Sequence, residues 1–175
     1  HGDLITRITS PNGRWVDFVN GASGGPVTQI RDNLGRTVSY TYDAQSRLTT
    51  VTDAGGGVTQ YSYHPQGAQY ALIQTITDAR NITYLTNVWD LQNRRVVGQT
   101  QADGTTFQFA YTADGQGKII QTDVTDPRGT VRRVTFNGAG YSLTDTRAFG
   151  SNIAQPAAQV RDPASNLVTS MADAL

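Results

Sequence analysis

A four-residue turn signature recurs along the chain at nearly constant spacing, and it constrains the possible folds more than any other feature. Its clearest copies read DNLG and DAGG. The last residues of the copies lie 21 to 25 positions apart, at Gly13, Gly35, Gly56, Asn81, Gly104 and Gly129. In a type I turn a first-position Asp bonds backbone N–H groups, and a fourth-position Gly accepts a positive φ. The turn residues expected to be structural are Asp32, Gly35, Asp53, Gly56, Asp78, Asp126 and Gly129.

The residues that follow each turn keep a common register. Five positions after the turn stand Phe18, Tyr40, Tyr61, Thr86, Phe109 and Val134. Seven positions after it stand Asn20, Tyr42, Tyr63, Val88, Tyr111 and Phe136. Positions two apart share one face of a strand, and Thr, Ser, Gln and Ala fill the places between. The pattern predicts a half-buried strand in every copy.

A second apolar run precedes each turn with a spacing of three residues. Its members are Ile5 and Ile8, Val27 and Ile30, Leu48 and Val51, Ile73 and Ile76, Gln121 and Val124, and Val168 and Met171. One β-bulge per strand would bring both side chains of a pair to the same face. Helices are not expected, because the turns interrupt any 3.6-residue periodicity.

Each unit is therefore predicted to be a β-hairpin, followed by a longer connection such as DAQSR, HPQGAQ or DLQNRR. A lone hairpin is marginal in water, so the hairpins should stack edge to edge. The predicted fold is all-β, a twisted antiparallel sheet forming a segment of a curved shell or barrel wall. Residues 1–137 should hold five to six hairpins, residues 138–160 an irregular insertion, and residues 161–175 the start of a further repeat, truncated before the glycine of its turn. His1 is interpreted as a tag remnant.

Composition excludes several classes of function. Fourteen basic residues balance fourteen acidic ones without clustering, so no nucleic-acid partner is expected. The chain has no Cys, which excludes disulfides and thiolate metal sites. No window approaches the ~18 apolar residues of a membrane span, and no signal peptide opens the chain.

Residues 35–53, GRTVSYTYDAQSRLTTVTD, resemble the YD repeat of the RHS family, which teneurin-type proteins share. The family usually has Gly where this chain has Ser46, and weaker copies extend over residues 4–136. The resemblance implies a spiral sheet closed as a shell, which in bacterial members encloses a toxin domain and is secreted or delivered. The family's self-cleaving end is not carried over, because Asp126-Pro127-Arg128-Gly129 is followed by Thr130 and lies in register as an ordinary turn.

No catalytic residue, metal site or cofactor is expected. Ser62 and His64 would share a strand face, but the chain has no Gly-x-Ser-x-Gly elbow and no zinc-ligand spacing. The recurring aspartates offer one carboxylate per turn, which favours turn capping over calcium binding. The glycine runs at 24–25 and 55–57 lack the Lys-Ser/Thr of a phosphate loop.

Two readings of the aromatic column stay open. Packing in a structural wall is favoured, because the aromatic face is the more apolar face of the strands. The alternative is a carbohydrate- or cell-surface-binding module that uses Tyr40, Tyr42, Tyr61, Tyr63, Phe109 and Tyr111. A propeller of four-stranded blades is a third possibility, with too few blades to close. The expected partners are neighbouring repeats, an enclosed toxin domain and, through unpaired sheet edges, further copies of the chain.

Overall fold

Antiparallel β-strands make up most of the molecule. The computed structural model describes residues 4–173, apart from the side chains of residues 67–69. Fifteen strands pair in the order of the sequence in one unclosed sheet. They are β1 (Arg7–Thr9), β2 (Trp15–Asn20), β3 (Val27–Asp32), β4 (Thr37–Tyr42), β5 (Leu48–Thr52), β6 (Val58–Tyr63), β7 (Ile73–Thr77), β8 (Thr83–Asp90), β9 (Arg95–Gln101), β10 (Thr106–Ala113), β11 (Ile119–Thr125), β12 (Val131–Phe136), β13 (Ser142–Arg147), β14 (Gln155–Arg161) and β15 (Val168–Ala172). The all-β prediction is confirmed.

The chain forms two compact units. The first comprises His1–Asn87 with Gln101–Asp103, and the second comprises Val88–Thr100 with Gly104–Leu175. The helical content of the described residues is two short 3₁₀ segments, Ala22–Gly24 and Pro65–Tyr70, both in the first unit. Each connects two consecutive strands.

Tight turns with one left-handed residue join most of the strands. All six predicted turn ends have positive φ, from +62° at Asn81 to +86° at Gly56. The turn between β4 and β5 has the same construction: Ser46 N–H donates to Asp43 O at 3.0 Å, and Ser46 has φ +59°. This geometry is a type I turn followed by a left-handed residue. The expectation of a longer connection at DAQSR was therefore wrong, whereas HPQGAQ does form a longer one.

Bulges occur where the three-residue spacing predicted them in four of the six apolar runs. The pairing of β2 with β3 shifts between Val19 and Asn20, so that Asn20 faces Val27 and Thr28 is the extra residue. Equivalent shifts lie within the pairs β4–β5, β6–β7 and β14–β15. In β11 the shift lies beside Ile119, because Ala113 pairs with Ile119 and Thr112 with Gln121. The bulge predicted between Gln121 and Val124 therefore lies earlier in the strand than expected.

The fourth copy of the repeat was also misaligned. Ile76 pairs with Leu85 and Thr77 with Thr83, so Tyr84 forms an extra bulge early in β8. This bulge moves Leu85 onto the face that Thr86 was predicted to occupy. The side-chain amide of Asn87 then donates to Ile73 O at 3.0 Å. Val88, assigned to the inner face, is 56% exposed.

Residues 138–160 are regular, contrary to the prediction of an irregular insertion. They contain β13 and most of β14, which pair with each other from Thr144–Ala158 to Arg147–Gln155. The turn before β13 uses Asn137 in place of Asp. Asn137 Oδ1 accepts from the N–H groups of Ala139 and Tyr141, both at 3.0 Å. The Asn side chain has an acceptor oxygen in the same place as Asp, so the repeat continues although this turn has no acidic residue.

The sheet has little buried core. Leu72, 7% exposed, is the only buried apolar side chain in the described part of the chain. Most strand residues are half-buried, so cross-strand pairs on each face supply the packing.

Candidate functional site

The tyrosines of the predicted aromatic column in the first unit lie on one face of its sheet. Tyr40 pairs with Val51, and Tyr61 pairs with Ile76. Val51 also pairs with Thr59, two residues before Tyr61, which places both tyrosines on the same face. In the second unit Phe109 pairs with Val124, and Tyr111 lies two residues further along the same strand. All these aromatic rings are half-buried.

The second tyrosine of each pair bonds to the backbone of the preceding strand. The hydroxyl of Tyr42 donates to Val27 O at 2.7 Å, that of Tyr63 to Leu48 O at 2.8 Å, and that of Tyr111 to Val96 O at 2.8 Å. Donor and acceptor are 15 residues apart in every case. Burial raises the pKa of the Tyr63 and Tyr111 hydroxyls.

Tyr40 and Tyr61 differ from these tyrosines in one respect. Within the described residues their hydroxyls form no hydrogen bond, whereas the hydroxyls two residues further on are bonded. In the Tyr-x-Tyr motif the first ring thus only packs on the sheet, whereas the second also hydrogen-bonds to a carbonyl of the preceding strand.

An arginine lies over the second ring and pairs with the turn carboxylate. The guanidinium of Arg47 is 4.6 Å from the ring centroid of Tyr63, and its Nε donates to Asp43 Oδ2 at 2.7 Å. The pKa of the Asp43 carboxyl is lowered, most by the backbone N–H of Arg47; burial opposes this shift, and the Arg47 side chain adds to it. Asp43, Arg47 and Tyr63 therefore form one contiguous polar cluster.

The predicted turn aspartates cap their turns with one oxygen each. Oδ1 accepts from the N–H groups two and four residues ahead, at 2.7–3.0 Å, in Asp32, Asp53, Asp78 and Asp126. The backbone N–H of Thr130 makes the largest contribution to the lowered pKa of Asp126. Gly35, Gly56 and Gly129 complete these turns with φ between +81° and +86°.

The opposite face carries rows of hydroxyl groups. Thr41 and Thr50 are joined at 2.6 Å, Ser62 and Thr75 at 2.5 Å, and Thr135 and Thr144 at 2.6 Å. Hydroxyl pairs across strands stabilise antiparallel sheets. This face is consequently polar and its hydroxyls are mutually bonded.

Ser62 and His64 are not brought together as a catalytic pair. Ser62 Oγ bonds to Thr75, while His64 Nδ1 accepts from Gln66 N at 3.3 Å and caps the 3₁₀ segment. Over residues 4–173 no group of three or more His, Asp or Glu side chains could hold a metal ion. None of the helices in that range is long and apolar enough to cross a membrane.

Sequence reasoning missed the tyrosine-to-carbonyl bonds and the arginine over the ring. The sequence did contain a signal for the tyrosine bonds. A constant interval of 15 residues separates the first residue of an apolar run from the second tyrosine of the motif that follows it. It could be interpreted only once the register was known, because a bulge decides which carbonyl faces the ring.

Comparison with known proteins agrees with this architecture. Residues 23–58 match the family model described as RHS Repeat. The structures of a TcdB2–TccC3–Cdc42 complex and of TcdB2–TccC3 without its hypervariable C-terminal region superpose with a TM-score of 0.60 at 12% identity. The match covers 89% of this chain and 9% of each of those chains. No curated protein sequence matches. Residues 23–58 are thus similar to an RHS repeat, and they lie within an all-β sheet that shares the fold of these TcdB2–TccC3 structures.

Proposed function

We propose that this chain is a wall segment of an RHS shell in a secreted or delivered bacterial toxin protein, where it encloses or scaffolds a toxin domain. The observation that carries the proposal is the strand order, since each of the fifteen strands pairs only with its neighbours in sequence. A sheet of this kind grows by adding hairpins and has no intrinsic limit to its length.

The exposed ends of the sheet support a role as one part of a longer wall. All residues of β1 and of β15 are exposed, and each strand has one pairing edge without a partner in the described sheet. Unpaired edges accept further strands. In the proposed shell these edges are covered by neighbouring repeats.

The proposed role requires no chemistry from these residues. The turn carboxylates accept backbone hydrogen bonds, and the second tyrosine of each motif donates to a backbone carbonyl. Both groups are thus engaged in holding the sheet, which supports a structural function over an enzymatic one.

A glycan- or cell-surface-binding module is the second candidate. It is favoured by the unbonded hydroxyls of Tyr40 and Tyr61, which share one half-buried aromatic face. Aromatic rings of this kind can stack on sugars while their hydroxyls bond to them. The wall role is preferred because Tyr42, Tyr63 and Tyr111 are committed to the backbone.

The decisive experiment is electron microscopy and limited proteolysis of the gene product that contains these residues. A shell is expected, with this segment in its wall and an enclosed polypeptide that resists protease until the wall is opened. If every domain is cleaved at the same rate and the images show no closed particle, the shell is excluded. Binding of the isolated segment to glycans on an array, abolished by Tyr40→Ala without unfolding, would favour the second candidate.

A further inference from the structure

The second unit contains a cavity of about 540 Å³ near the turns at the ends of β9–β12. Its lining includes Arg95, Tyr111, Lys118, Ile119, Phe136 and the glycine-rich turn 138–140. The volume is within the range of ordinary ligand sites. Two cationic side chains and two aromatic rings thus share one concave surface.

Arg95 has the position of Arg47 in the first unit, but no carboxylate of the described part of the chain bonds to its guanidinium. Its guanidinium lies 5.7 Å from the ring centroid of Tyr111, just as Arg47 lies over Tyr63. Arg47 follows Asp43 by four residues and is paired with it, whereas Arg95 follows Asp90 by five. The extra residue separates the two groups that the turn normally joins.

Asp90 is already engaged by its own turn. Its Oδ2 accepts from Asn93 Nδ2 at 2.7 Å, and its Oδ1 accepts from the backbone N–H groups of Gln92 and Asn93. The Arg95 side chain forms no direct ion pair or hydrogen bond with any residue in the range 4–173. The pKa of the Asp90 carboxyl is lowered mainly by its hydrogen bonds to Asn93 and least by the charge of Arg95, which acts on it without direct contact. The five donor groups of Arg95 are available to a ligand.

Lys118 adds a second positive charge without a carboxylate partner. Its Nζ donates to Gly138 O at 2.9 Å, which holds the ammonium group at the glycine-rich turn. No carboxylate in the described residues pairs with the ammonium group, although Asp114 Oδ1 accepts from the backbone N–H of Lys118 at 3.0 Å. Two of the three Nζ donors remain free. Gly138 and Gly140 have no side chain to narrow this side of the cavity.

We propose that this cavity binds a carboxylate side chain from an acidic segment of another polypeptide. The choice of ligand follows from the first unit, where the same arginine–tyrosine pair receives the Asp43 carboxylate. A partner's Asp or Glu would pair with Arg95 and Lys118. An apolar neighbour in the partner would pack on Phe136 and Ile119, which also line the cavity.

The test is calorimetric titration of the whole chain with a capped peptide, Gly-Glu-Phe-Glu-Gly, and with its Gln-for-Glu counterpart. We expect only the acidic peptide to bind, with affinity that falls as salt rises. Arg95→Gln and Lys118→Gln should each weaken binding about tenfold, the effect of one charge-assisted hydrogen bond. Ala139→Glu, which keeps both cations but adds an internal carboxylate at the cavity wall, should abolish binding.

Arg128→Gln is the matched control. It removes one positive charge from the same unit at an exposed turn outside the cavity, so it should leave affinity unchanged. Circular dichroism of each variant checks that the sheet is intact. Equal binding of the two peptides, or equal weakening by Arg128→Gln and Arg95→Gln, would overturn the proposal. Inorganic phosphate that binds more tightly than the acidic peptide would also overturn it, in favour of a phosphate site.

Discussion

The hydroxyl of Tyr63 offers a sharp test of how neighbouring strands are held together. It donates to Leu48 O at 2.8 Å, whereas the hydroxyl of Tyr61, two residues earlier on the same strand, has no hydrogen-bond partner among the described residues. Replacing either tyrosine by Phe removes one oxygen and keeps the ring. The two substitutions therefore differ only in the hydrogen bond that is lost.

We expect Tyr63→Phe to lower the free energy of unfolding by about 1 kcal/mol, the usual net contribution of such a bond. For a chain of this size the midpoint of thermal unfolding should fall by about 2–4 °C. Tyr61→Phe should change the free energy of unfolding by less than about 0.5 kcal/mol, because no hydrogen bond is lost. The midpoint of thermal unfolding should shift correspondingly little.

Urea denaturation followed by circular dichroism measures the difference directly. The slope with denaturant concentration should stay constant, since neither substitution changes the surface exposed on unfolding. The same comparison applies to Tyr42→Phe against Tyr40→Phe. Equal effects of Tyr61→Phe and Tyr63→Phe would refute the assigned role of the hydroxyl.

Four further outcomes are expected. Ser46 has φ +59°, a left-handed conformation that is costly for a residue with a side chain. Ser46→Gly should therefore raise the free energy of unfolding by about 1 kcal/mol, seen as a higher urea midpoint. An unchanged midpoint would mean that the turn is not strained. Asp43 has a lowered pKa, so its stabilising effect, measured against Asp43→Asn, should be constant above about pH 5 and disappear as pH falls below about 4. A stability difference between the unaltered chain and Asp43→Asn that grows as pH falls would contradict this. Tyr40→Ala should destabilise the sheet by about 2–3 kcal/mol, less than for a fully buried ring; loss of glycan binding with unchanged stability would point to the alternative function. The chain should self-associate through β1 and β15 in concentration-dependent light scattering, and a monomer at all concentrations would argue against it.

Turn chemistry made much of this fold predictable from the sequence. Asp at the first position and Gly at the fourth each have a local physical reason, so Gly35, Gly56 and Gly129 could be placed in left-handed conformations without knowledge of their neighbours. The three-residue apolar spacing likewise required a bulge wherever both side chains shared a face.

Errors arose where one residue was inserted or replaced without changing the overall pattern. The bulge at Tyr84 moved Thr86 and Val88 off their predicted faces, and nothing local in the sequence marks it. Asn137 provides the turn oxygen without the charge that identified the other turns, so β13 and β14 were taken for an insertion. Their few large apolar residues left no alternation to correct that error.

The cavity beside Arg95 was beyond sequence reasoning for a related reason. In this turn Arg follows Asp after five residues instead of four, which is a small change in spacing. Only the fold shows that the guanidinium over Tyr111 then makes no direct bond to the Asp carboxylate. The role of the paired tyrosines in the wall, and of the turn residues as its structural elements, stays a prediction that the substitutions above can test.

Consecutive strand pairing also determines how such a molecule can be made. Since every strand finds its partner immediately upstream, contacts join residues that are close along the chain, and such low contact order favours rapid folding. The polypeptide can consequently fold as it leaves the ribosome, each newly synthesised strand docking on a finished edge. Genes encoding such walls can therefore lengthen or shorten by whole hairpins while the residues already folded keep their places.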